Sequence, residues 1–116
     1  MIKYVYVAGP YSQGDPVLNV RWAVQAADLL LTWGFVPFVP HLSHLWHTIA
    51  PKAYEDWLKY DNAWLPKCDA VLRLDGPSNG ADKEVALAGE LGIPVFTDLT
   101  ALVEARYVER HGGVPS

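Results

Sequence analysis

Residues 69–96 read DAVLRLDGPSNGADKEVALAGELGIPVF. The stretch divides into three parts. Asp69 to Leu74 is an aliphatic run that ends in Asp75-Gly76-Pro77, the pattern of a strand running into a turn. Ala81, Ala88 and Leu91 then recur at helical spacing until Gly92-Ile93-Pro94 stops the helix, and Pro94 to Phe96 starts a second strand. Strand, helix and strand in so short a span close as a right-handed crossover unit whose two strands run parallel.

The same alternation extends toward the N-terminus. Lys3 to Ala8 is a β-branched and aromatic run ended by Gly9-Pro10. Asp15-Pro16 then forms a cap and first helical position. Leu18, Trp22, Ala26, Leu29 and Trp33 mark the expected core face of that helix, which stops at Gly34. A second strand is expected over Phe35 to Val39, a loop over PHLSHLWHTIAP, and a helix over Ala53 to Leu65. Asp98 caps a last helix to about Glu109. The whole reads as one α/β domain over residues 1–110, a three-layer sandwich around a parallel sheet of four or five strands, with a loose tail at 111–116.

Bulk properties restrict the function. With 116 residues, 51% of them hydrophobic and 19% charged, the chain holds enough apolar material for a real core and is no disordered segment. Its net charge is −4 and it has no Lys/Arg run, so a nucleic-acid polymer is an improbable partner. Cys68 is the only cysteine, which excludes an intrachain disulfide and multi-cysteine zinc sites. The sequence has no secretory or membrane-spanning pattern, so a cytoplasmic location and no membrane contact are expected.

Two acids stand out because they share helical stripes with apolar residues. Glu84 falls on the stripe of Ala81 and Ala88 just after the Gly76 turn, where a capping carboxylate and a ligand-facing one are equally consistent with the spacing. Asp61 shares a stripe with Tyr54, Trp57, Trp64 and Leu65, whereas Glu55 and Lys59 form an ordinary surface pair. Carboxylates held among apolar groups have raised pKa values suited to nucleophile or general-acid work, although a structural acid with a partner is the alternative. Tyr6 adds a hydroxyl on the first strand and, taken alone, reads as a core residue. His41, His44 and His47 lie within seven residues, but no acid lies among them and no fourth ligand is evident, so no metal is assigned. Trp46, Trp57 and Trp64 are candidates to stack on a base, with packing the expected role for at least two. GxGxxG and P-loop patterns are absent, and no cofactor is implied.

From YVYVAGPYS through YDNAWLPKCDAVLRLDGPSNGADKEVALAGELGIPVF the chain resembles the nucleoside 2-deoxyribosyltransferase-like superfamily, and more closely its small DUF4406-type members. The resemblance implies a flavodoxin-like, or Rossmann-like, fold and cleavage of an N-glycosidic bond. Its catalytic set matches Glu84 as nucleophile, Tyr6 as the group orienting it, and Asp61 as proton donor to the base. It places substrate contacts at Gly9, Tyr11, Ser12, Asn19, Ser78 and Gly80, and implies a small nucleoside or nucleotide substrate and a homodimer. Ser78 stands where the transferases carry an acid, and their lent C-terminal strand has no counterpart in ERHGGVPS. Hydrolysis is therefore expected over base transfer, on a 2-deoxynucleoside or its 5-monophosphate. A true transferase and a non-catalytic nucleotide or nucleotide-sugar binding module are the competing readings. The first loop lacks the Arg of the nucleotide hydrolases, with Arg21 and Lys83 as possible substitutes.

Overall fold

Tyr4–Ala8 forms strand β1, and Val5, Tyr6, Val7 and Ala8 are all buried. A strand hidden on both faces sits at the centre of a parallel sheet. In the computed structural model, which describes residues 1–112, β1 is flanked by β2 (Val36–Phe38) and β3 (Ala70–Arg73), and β3 by β4 (Val95–Phe96). All pairings are parallel and the strand order is β2-β1-β3-β4. The register sets Tyr6 beside Phe38 on one side and Val71 on the other. The expected α/β architecture with four parallel strands is what the chain adopts.

The described residues form five α-helices, α1 (Pro16–Thr32), α2 (Ser43–Ile49), α3 (Tyr54–Trp64), α4 (Asn79–Glu90) and α5 (Leu99–His111), of which α1, α4 and α5 pack on the sheet. One core cluster joins Val5 and Val7 to Ala23, Leu30 and Leu102, from α1 and α5. The other joins Tyr6 and Val71 to Leu65, Cys68, Ala81 and Ala88 on the α4 side. Asp15 caps α1 by accepting from the Val17 amide at 2.9 Å, and Asp98 caps α5 through the Ala101 amide at 2.7 Å.

Four expectations need correction. The buried face of α1 is Asn19, Ala23, Ala27 and Leu30, whereas Leu18, Trp22, Leu29 and Trp33 are exposed. α1 is apolar round most of its girth, so its periodicity has no unique phase, and small alanines let its backbone approach the sheet closely. On α4, Ala81 and Ala88 are buried but Leu91 lies past the helix end and is exposed. The segment expected as a loop contains a 3₁₀ turn at Pro40–Leu42 and then α2. The expected tail begins too early: His111 belongs to α5 and Gly112 ends it with φ 66°, and residues 113–116 lie outside the described part.

Candidate active site

The strand order reverses between β1 and β3, so the loops leaving their carboxyl ends diverge and open a crevice. A cleft of about 580 Å³ occupies that position. Its walls come from three places: the β1–α1 loop with Gly9, Tyr11 and Ser12; the β2–α3 segment with His41, His47, Lys52, Trp57 and Asp61; and the start of α4 with Ser78, Gly80 and Glu84. Gly76, between β3 and α4, has φ 108°, and a Cβ there would meet Pro10 Cγ at 3.0 Å. Glycine is required at this crossing of two loops.

Tyr6 Oη, fully buried on β1, donates a hydrogen bond to Glu84 Oε2. Tyr6 is therefore held behind Glu84, and the other carboxylate oxygen is left for the cleft. Burial pushes the Glu84 carboxyl up to about 7, opposed by the Tyr6 hydrogen bond, and the neighbouring Asp61 charge raises it further. Burial also pushes Asp61 up to about 6, and its Oδ1 is buried without a hydrogen-bond partner. Desolvation and the Glu84 charge drive the Tyr6 phenol far above its ordinary range, so it stays a donor. Two carboxyls thus share one site near neutrality, in which one proton on the pair is the favoured state.

These raised values make stability depend on pH. The folded chain binds more protons than the unfolded chain above the ordinary carboxylate range, so the stability is complete at low pH and drains away as pH rises through about 6 to 7. Glu84→Gln removes the larger shift. It is expected to raise the thermal midpoint at pH 8, by the equivalent of about 2 to 3 kcal/mol, and to change it little at pH 4. Equal effects at both pH values in thermal denaturation would contradict the burial of this charge.

Not every expected contact reaches the cleft. Asn19 is buried beneath it, where Nδ2 donates to the carbonyls of Tyr11 at 2.9 Å and Gln13 at 2.7 Å. It shapes the first loop instead of touching the cavity. Asn19→Ala leaves those two carbonyls unpaired and is expected to cost about 1 to 3 kcal/mol in chemical denaturation. Ser78 Oγ accepts from the Ala81 amide at 3.0 Å as the cap of α4, which leaves its own proton free to donate. The Asn79 amide is satisfied by Gln13 Oε1 at 3.1 Å, so Gly80 keeps the one free amide of the first turn. Arg21 and Lys83 do not line the cleft; Lys52 is the cation that does.

The three histidines diverge. His41 is buried and its Nε2 donates to the carbonyls of Pro10 at 2.9 Å and Gly9 at 3.2 Å, while burial holds its pKa below the ordinary value. His44 Nδ1 pairs with Tyr11 Oη at 2.5 Å. His47 Nδ1 accepts from Trp57 Nε1 at 2.9 Å and from the Lys52 amide at 3.2 Å, which fixes the ring proton on Nε2. Among the described residues no group of three or more His, Cys, Asp or Glu is placed to hold a metal. Of the three tryptophans, Trp57 lines the cleft, Trp46 packs edge-on against it, and Trp64 stacks on Phe38. Gln13, Lys52 and Asn79 were not expected at the site, and as solvent-type residues in loops or at the start of α4 they carry no periodic signal that would single them out.

A family model described as a domain of unknown function, DUF7768, matches residues 3–98. The chain belongs to the DUF7768 family. The match takes in all four strands, Tyr6, Asp61 and Glu84, and it replaces the expected DUF4406 assignment. No curated protein matches this DUF7768 chain. Among solved structures, it is similar to a 2-deoxyribosyltransferase from Bacillus psychrosaccharolyticus, with a TM-score of 0.62 at 19% identity over 79% of this chain and 69% of that one. It is also similar to a 2-deoxyribosyltransferase from Leishmania mexicana, with a TM-score of 0.62 at 21% identity over 81% of this chain and 62% of that one. At these identities the likeness shows a shared fold. No described helix is long and apolar enough to cross a membrane.

Proposed function

We propose that this DUF7768 chain cleaves the N-glycosidic bond of a 2-deoxynucleoside or its 5-monophosphate and passes the sugar mainly to water. The observation that carries the reading is the Tyr6–Glu84 hydrogen bond at the cleft, with Asp61 beside it and both acids raised toward neutrality. The fold shared with 2-deoxyribosyltransferases adds support.

Glu84 attacks the anomeric carbon through the oxygen that Tyr6 leaves free. The bond from that carbon to the base nitrogen breaks, its electron pair goes to the base, and Asp61 delivers a proton to the departing nitrogen. The product is a glycosyl ester on Glu84. Asp61, now ionised, takes a proton from water as the water oxygen attacks the same carbon, and Glu84 leaves as carboxylate. The two-carboxyl logic is that of retaining glycosidases, transferred from oxygen to nitrogen leaving groups. Trp57 offers a face for the base.

Water is favoured as acceptor because Ser78 replaces the acid of the transferases at the start of α4 and is occupied there as a cap. A 5-phosphate finds the Gly80 amide, the Ser78 hydroxyl and Lys52 at the cleft, a modest set for an anion. The test supplies deoxynucleosides and their monophosphates with and without a different free base, and separates released base, free sugar and exchanged nucleoside by chromatography. Free base with free sugar is expected. Predominant exchange would make the chain a transferase, and no base release from any substrate would leave a binding module.

A further inference from the structure

His47 on α2 and Trp57 on α3 meet edge to face beside the cleft, and their contact leaves one polar atom over. His47 Nδ1 accepts twice, from the Trp57 indole at 2.9 Å and from the Lys52 amide at 3.2 Å. Both partners can only donate, so the ring proton sits on Nε2. That Nε2–H has no partner among the described residues and is not sealed from solvent, and the ring that carries it lines the cleft. The indole is held as firmly, because Trp46 and Tyr60 pack edge-on against it with ring centres at 5.1 and 6.1 Å. A flat face and an open donor therefore stand in fixed relation before any ligand arrives.

His47 takes no part in the bond-breaking steps described above. Its neighbours at the cleft share its polarity. Lys52 lines the cleft, makes no ion pair among the described residues and can only donate. Asp61 stands one helical turn beyond Trp57 and supplies a proton to the departing base. A ring laid on Trp57 accordingly meets donors along its edge. We propose, resting on the nucleoside reading of the cleft, that the His47–Trp57 pair selects nucleosides whose base carries an exocyclic carbonyl, as 6-oxopurines and 4-oxopyrimidines do, over those with an amino group at the same position. The carbonyl oxygen accepts from His47 Nε2–H. An amino group there sets N–H against N–H, and both groups lose the bonds they made to water, which costs about 10- to 100-fold in affinity. Stacking alone makes no such choice, since every base has an aromatic face.

Calorimetry on the Glu84→Gln chain, which binds without consuming its ligand, compares 2-deoxyinosine with 2-deoxyadenosine and 2-deoxyuridine with 2-deoxycytidine. Within each pair the base differs only in the exocyclic group and the ring nitrogen beside it. The oxo member should bind about tenfold more tightly or better in one pair or both, and the pair that shows it gives the ring size of the substrate. His47→Asn, added to that chain, puts an amide oxygen where Nδ1 stood, so Trp57 keeps its acceptor while nothing replaces Nε2–H. The preference should then fall below about threefold, through weaker binding of the oxo ligands alone. The proposal is overturned by equal or tighter binding of the amino members, by a preference that survives His47→Asn, by equal weakening of all four ligands in that variant, or by no binding of any of them. The comparison with His47 in place decides the matter even if the variant fails to fold. Base release by the parent chain is followed separately. Release without an oxo preference overturns the His47 assignment and leaves the cleavage reading standing, and an oxo preference without release does the reverse.

Discussion

Glu84→Gln is expected to lower base release by about 10⁴-fold, the scale on which loss of a nucleophile acts, while ligand affinity stays within a few-fold. Glutamine keeps the shape of the side chain and still offers an oxygen to the Tyr6 hydroxyl, so the floor of the cleft is preserved. What disappears is the charge that attacks the anomeric carbon. Rates from released base and affinities from calorimetry with the same nucleoside separate the two effects. Unchanged turnover would sink the covalent mechanism. The gain in stability expected for this variant at pH 8 gives the result a second reading: activity lost from a chain that has become more stable is lost from chemistry, not from unfolding.

Asp61→Asn should cost about 10²–10⁴-fold, and most for bases that leave poorly, because the proton it delivers matters least when the departing nitrogen is already a good leaving group. The pH profile gives an independent view. With the pair placed at about 6 and about 7, base release should peak between those values in the parent chain. It falls on the acid side as the pair takes up a second proton and no carboxylate is left to attack, and on the alkaline side as the shared proton is lost. Asparagine cannot titrate, so the alkaline limb should vanish in Asp61→Asn. An equal loss for good and poor leaving groups, with the limb still present, would make Asp61 a positioning residue.

The βαβ unit of residues 69–96 was legible because its signals agree: an aliphatic run, a glycine turn, a capped helix and a Gly-Ile-Pro stop each mark the same boundaries. Glu84 and Asp61 could be found because an acid on an apolar stripe breaks a local rule, and sites are where such rules break. The phase of α1 could not be read the same way. A helix with leucine, tryptophan and valine on several sides gives no single apolar face, and the choice went to small residues, Ala23 and Ala27, that hydropathy ranks low. The role of Asn19 was hidden for a related reason: a side chain beneath a loop and one facing a ligand look alike until the loop is folded over it. α2 went unread because Ser43–Ile49 is short, with no capping side chain to announce it.

The two outermost strands have a consequence for solution behaviour. β2 spans three residues, one of them Pro37 without an amide hydrogen, and β4 spans two. An open sheet margin is a template on which another chain can add a strand and from which fibres grow. Margins this short offer too few amides and carbonyls to hold an added strand in register. Concentrated solutions of the chain are accordingly protected against growth through backbone pairing, and any precipitation on storage should respond to changes on helical surfaces and not to changes at the rim of the sheet.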